Sequence, residues 1–197
     1  MKSADEVLQR LLDGNERFAA GRMRHGGISP ERRMEVLKGQ QPVAVVLGCS
    51  DSRVPPELLF DQGLGDLFVV RTAGHVMDRV ALESIKYAVT HLETPLIMVL
   101  AHSGCGAVTA AVSRQNDPLK DVNRLMMEIL PAVEETSSGP GSMVNAASKV
   151  HAQRTAETLI SAFLEPDDSK GNGRMAVVPA YYNQETGLVE ILSGTPE

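Results

Sequence analysis

The chain contains two cysteines, and each stands in a short polar segment directly behind an apolar run. Cys49-Ser50-Asp51-Ser52-Arg53 follows Val43 to Leu47, and His102-Ser103-Gly104-Cys105 follows Leu96 to Ala101. Two sulfurs and an imidazole form a zinc-type donor set. Three protein ligands leave a fourth tetrahedral position for water, which separates a catalytic zinc site from a closed structural one. The expected chemistry is that of a catalytic zinc site that activates a bound water.

Taken singly, each cysteine could pack as a small buried hydrophobe. The pair is harder to dismiss, because His102 and Cys105 lie three apart where Gly104 and Gly106 permit a tight turn, so both side chains can converge. Cys105 would also sit near a helix N-terminus, whose partial positive charge favours thiolate. Cys49, Asp51 and Arg53 are spaced by two, so in extended chain their side chains face the same way. An exposed Asp-Arg pair by itself is worth little. Beside a ligand cysteine, a carboxylate held by a guanidinium reads as a group that orients what the metal binds.

These residues need a scaffold that delivers two loops to one place. Val43 to Leu47, after Pro42, reads as a strand buried on both faces; Leu67 to Val70 reads as a second strand, and Leu96 to Leu100, opened by Pro95, as a third. Val80 to Leu92 between them is helical in pattern, and helices are expected after Cys105, from about Asp121 to Thr136 and from Asn145 to Leu164, with Ser137 to Ser142 as a loop. Met175 to Pro179 and Leu188 to Leu192 flank the turn signal Asn183 to Gly187 and read as a strand pair. Val7, Leu8, Leu11, Leu12 and Phe18 form the apolar stripe of a helix over about residues 4–20, closed near Gly21. The expected fold class is α/β: a mainly parallel central sheet with an antiparallel edge strand, flanked by helices. Ligands in such sheets collect beyond the carboxyl ends of the strands, where strand order reverses, and both cysteine segments lie at such ends.

Composition narrows the partners. The 197 residues, 43% hydrophobic and 22% charged, suit one domain spanning the whole chain. A net charge of −6 and a pI near 5.4 argue against nucleic-acid binding, which depends on Lys and Arg neutralising phosphates. No apolar run approaches the ~20 residues of a membrane span, and the first residues lack a leader pattern, so a cytoplasmic, non-membrane protein is expected, with both thiols kept reduced. Gly104-x-Gly106 lacks the third glycine of a dinucleotide loop, since Thr109 stands there, and the positions six after the cysteines are Pro55 and Ala111, not the arginine of a thiol phosphatase loop. His25, His75, His91 and His151 read as surface or polar-contact residues, and Met126 and Met127 as core or interface filling.

The combination Cys-x-Asp-x-Arg followed some fifty residues later by His-x-x-Cys resembles the β-class carbonic anhydrases, and the likeness continues through Gly48 to Pro55, Gly65 to Arg71, Ile85 to Val89 and Tyr181 to Gly187. The resemblance implies one zinc per subunit on Cys49, His102 and Cys105, and reversible hydration of carbon dioxide to bicarbonate by zinc-bound hydroxide. It implies Asp51 and Arg53 as the catalytic dyad, with Asp51 able to become a fourth metal ligand when the ion pair breaks. It implies Gln40, nine residues before Cys49, as the substrate-binding glutamine, and Phe68, Ala73 and Tyr87 as apolar pocket wall. It further implies a homodimer or dimer-based homotetramer with the site at the subunit interface, Gln40, Phe68 and Tyr87 acting on a neighbour's zinc, and the N-terminal helix packing on a partner. Thr72 and His75 depart from the common family pattern; Val46, where an allosteric type carries tryptophan, points to the non-allosteric type. Carbonyl sulfide or carbon disulfide hydrolysis, or zinc binding without turnover, are the alternatives.

Overall fold

The computed structural model describes residues 3–24, 27–115, 123–136, 142–163 and 175–192. Five strands, β1 Ala44–Cys49, β2 Leu67–Thr72, β3 Leu96–His102, β4 Ala176–Tyr182 and β5 Val189–Ile191, form one sheet in the order β2-β1-β3-β4-β5. β1 runs parallel to β2 and β3, β3 runs parallel to β4, and β5 returns antiparallel to β4, which is the expected fold class. Every residue of β1 and β3 is buried, as central parallel strands covered on both faces require. β2 lies at the edge, and all six of its residues are only half-buried.

Seven helices are described: α1 Ala4–Ala19, α2 Pro30–Glu35, α3 Pro56–Leu59, α4 Arg79–His91, α5 Gly106–Gln115, α6 Arg124–Glu135 and α7 Met143–Phe163. Alternation along β1 sends Val46 to one core, with Leu11 of α1, Val108 of α5 and Ile129 of α6, and Val45 to another, with Ile85 of α4 and Leu159 of α7. The helices α2 and α3 escaped the periodicity reading because four to six residues do not complete an apolar repeat; each is opened by a proline at its start. Asp121, the expected start of α6, and most of the Ser137 to Ser142 loop lie outside the described residues.

The apolar stripe of α1 packs on its own chain. Val7 and Leu11 enter the core, Gly14 lies so close to the Phe60 carbonyl that a Cβ would stand 1.9 Å from its oxygen, and the buried Asn15 amide donates to the carbonyls of Leu59 and Gly187 while accepting from the Val189 N–H. Any surface α1 offers a partner is therefore another of its faces. Strands β1 and β3 run further than the hydropathy pattern: Cys49 pairs with Thr72 and His102 with Tyr182. Backbone pairing continues where apolarity stops, so the first two donor residues are the last rungs of the ladder.

Candidate metal centre

From β1 the chain moves to β2 on one side and then crosses to β3 on the other, which opens a crevice beyond the carboxyl ends of β1 and β3. Cys49 and His102 stand at those ends, and Cys105 immediately precedes α5 after the left-handed turn at Gly104 (φ +61°). The Cys49 and Cys105 sulfurs are 4.0 Å apart, and one donor atom each from Cys49, His102 and Cys105 all lie within 4.8 Å of one another. Zinc–sulfur bonds of about 2.3 Å at tetrahedral angles need nearly that separation. All three side chains are buried. His102 Nδ1 lies 3.0 Å from the Ser103 carbonyl, which can only accept, so the ring proton belongs on Nδ1. Nε2 is left bare, buried and without a hydrogen-bond partner among the described residues. An orphaned imidazole nitrogen facing paired sulfurs fits a soft divalent cation.

The sulfurs are prepared for charge. Cys49 Sγ accepts from the N–H groups of Asp51 at 3.4 Å and Gly74 at 3.3 Å, and the first-turn amides of α5 at Ala107 and Val108 face Cys105. The hydrogen bond from Cys105 pushes the Cys49 thiol down, and that same bond, with burial, pushes Cys105 up. A divalent ion removes the like-charge conflict and lets both ionise.

Asp51 and Arg53 meet differently from the extended reading. Val54 N–H closes a turn on the Asp51 carbonyl at 3.1 Å, and Arg53 folds back, its backbone N–H and Nε each 2.9 Å from Asp51 Oδ1 and its Nη2 2.6 Å from Oδ2. The turn replaces the extended spacing because the chain must reverse into Pro55 and α3. The Arg53 bonds hold the Asp51 carboxyl well below the usual carboxylate range.

Ala73 is near: it is exposed and precedes Gly74, whose amide touches Cys49. Gln40, Phe68 and Tyr87 are not brought to this centre within the chain. Phe68 pairs with Val45, four rungs before Cys49, about 13 Å along the sheet. It packs on the α4 and α7 side, whereas Cys49 and Cys105 belong to the opposite core. Tyr87 on α4 is half exposed, with its ring 6.4 Å from Phe68, and Gln40 is exposed ahead of the amino end of β1.

Some participants carried no sequence signal strong enough to single them out. Arg71 holds the backbone carbonyls of Cys49 and Asp51, Asn145 Oδ1 accepts from the Gly104 N–H at 3.0 Å, and the Ser103 carbonyl accepts from the Gln184 amide. The histidine reading also needs correction. His75 is fully buried and His151 nearly so, with ring centroids 4.6 Å apart; His91 is exposed, and His25 lies outside the described residues. His75 follows Gly74 into the core with a left-handed backbone (φ +48°), and His151 lies on the inner face of α7, so fold context overrides polarity.

The family model described as carbonic anhydrase matches residues 44–189. Carbonic anhydrase 2 of Mycobacterium tuberculosis is 43% identical over 180 residues, covering 90% of this chain and 87% of the relative. The carbonic anhydrase of Mycolicibacterium smegmatis is 42% identical over 186 residues, covering 93% and 90%. Among solved structures, the β-carbonic anhydrase CafA of Aspergillus fumigatus superposes with a TM-score of 0.74 at 22% identity, covering 96% of this chain and 92% of that one. A tetrameric β-carbonic anhydrase of Sordaria macrospora gives 0.69 at 22%, covering 98% and 100%.

Proposed function

Because the chain belongs to the β class of carbonic anhydrases, zinc enzymes that interconvert carbon dioxide and bicarbonate, we propose that it does this chemistry at a site shared between two copies of itself. Cys49, His102 and Cys105 would hold the zinc ion, one per subunit. Bound there, zinc supplies Lewis-acid activation of water. The single observation that carries this reading is the convergence of two sulfurs and an unpartnered imidazole nitrogen within 4.8 Å.

The protein's own groups do the rest. Asp51 accepts a hydrogen bond from the attacking water and aims its lone pair, and Arg53 fixes that carboxylate with three bonds. Released from Arg53, the Asp51 carboxylate would be free to turn toward the metal position and would close the site there. Ala73 lines the apolar side on the same chain. The partner's Phe68 and the partner's Tyr87 supply the remaining wall, and the partner's Gln40 donates to an oxygen of the forming bicarbonate. The separation of these three residues from their own metal centre supports a dimer, alone or within a tetramer. A cytoplasmic setting suits two unpaired thiols. Among the described residues, no helix is long and apolar enough to cross a membrane.

Stopped-flow carbon dioxide hydration with metal analysis of the same preparation tests this. About one zinc per chain is expected, with turnover abolished by chelation and restored by zinc; a zinc-loaded protein without turnover would overturn it.

A further inference from the structure

The loop after β1 carries the Cys49 sulfur, the Asp51 carboxylate and Arg53, yet its backbone is held from β2. Arg71 Nε donates to the Cys49 carbonyl at 2.8 Å, Arg71 Nη2 donates to the Asp51 carbonyl at 2.5 Å, and the Ser50 N–H donates to the Thr72 carbonyl at 2.9 Å. Guanidinium is a rigid planar fork, so bonds from two of its nitrogens fix the separation and direction of two carbonyls together. Arg71 is half-buried and makes no ion pair among the described residues. Its charge is directed to neutral backbone oxygens, an arrangement that sets loop geometry.

The Asp51 carbonyl held by Arg71 also closes the turn with the Val54 N–H at 3.1 Å. For the Asp51 carboxylate to reach an ion held between the sulfurs it must leave three Arg53 bonds, and any shift of its peptide on the way works against the Arg71 fork. We propose that Arg71 is a positioning residue: by clamping the carbonyls of Cys49 and Asp51 it keeps the Asp51 carboxylate with Arg53 and away from the ion held by Cys49, His102 and Cys105. The inference rests on the reading of Asp51 as the group that closes the site.

The test uses protein loaded with cobalt(II) in place of zinc, whose visible absorption reports the fourth ligand, at one alkaline pH. R71Q should raise the carboxylate-ligated population about tenfold over wild type, and R71K, which keeps the charge but not the fork, should fall between them. R71Q/D51N should match D51N alone, because the change must pass through Asp51. A fully loaded R71Q with the wild-type spectrum overturns the role of Arg71, as does a spectral change that persists in R71Q/D51N. Should R71Q fail to fold or load, R71K carries the same test. A different failure marks the gate itself: wild type and D51N remaining spectroscopically alike down to mildly acidic pH. That result removes the premise and this inference with it, whereas a wild type that changes on acidification while R71Q adds nothing removes Arg71 alone.

Discussion

The two ends of the sheet are built on opposite plans. At the carboxyl end, three donor side chains are buried, their backbone neighbours donate to sulfur, and the set is complete within one chain. At the amino end, Gln40 ahead of β1, Phe68 on β2 and Tyr87 on α4 lie exposed or half-buried, and β2 is an edge strand without a second neighbour among the described strands. Metal binding needs ligands fixed to tenths of an ångström, which one folded core can guarantee. An apolar wall for a small substrate needs only a surface of the right shape, and a second copy can bring that surface.

The sharpest way to break this contrast is to remove a ligand. Cys105→Ser should abolish zinc retention and lower carbon dioxide hydration at least ~10³-fold, because a neutral hydroxyl cannot replace a thiolate on a soft ion. Metal analysis and stopped-flow rates check it; a zinc-loaded, active variant would show that the carboxyl-end cluster is not the metal site.

The amino-end residues should behave in trans. Tyr87→Ala should lower kcat/KM about tenfold while leaving zinc content unchanged. Mixing it with Cys105→Ser under subunit exchange should regenerate activity, since a heterodimer pairs a competent zinc with an intact neighbouring wall; at equal amounts about a quarter of the sites are whole. If mixing restores nothing while exchange is confirmed by mass spectrometry, the wall does not act across an interface.

How much of this was legible in the sequence follows the same division. The strands after Pro42 and Pro95 were readable because their apolar runs are continuous, and the donor set because cysteine, histidine and their spacing have few other uses. The turn at Asp51 is not legible from the two-residue spacing, since it depends on Arg53 folding back and on Arg71 reaching across from β2, contacts between residues up to 22 apart. The position of Phe68 relative to the zinc ligands follows only from strand register, and the burial of His75 only from the left-handed step beside Gly74, where an added Cβ on Gly74 would meet Ile129 at 2.9 Å.

A finer contrast lies in the dyad. Asp51→Asn keeps the shape but loses the charge that Arg53 holds, so turnover should drop about 10- to 100-fold with zinc retained. On the proposed role, in which Asp51 orients water and does not bind carbon dioxide, the loss should be in kcat; an equal rise in KM with kcat untouched would assign it to substrate binding.

The smallest effect separates two aromatic contacts involving histidine at opposite ends of the sheet. His91 is exposed and lies against Tyr87, ring centroids 5.0 Å apart, whereas His75 and His151 face each other in the core, with three of their four ring nitrogens unpartnered among the described residues. Burial, reinforced by the neighbouring His151 and His102, pushes His75 well down, and burial pushes His151 down to about 4. A histidine whose folded pKa lies below its unfolded value near 6.5 is protonated first in the unfolded chain. The unfolded state therefore binds more protons below that pH, and stability must fall as pH drops from about 6.5 toward 4, each such histidine adding a slope of up to about 1.4 kcal/mol per pH unit. Urea midpoints of zinc-loaded protein at pH 7 and pH 5 measure the slope, and His151→Phe should flatten it by roughly one histidine's share. The comparison is made between variant and wild type because acid loss of zinc is common to both. An unchanged slope in a folded variant would mean that His151 does not titrate as a buried neutral ring.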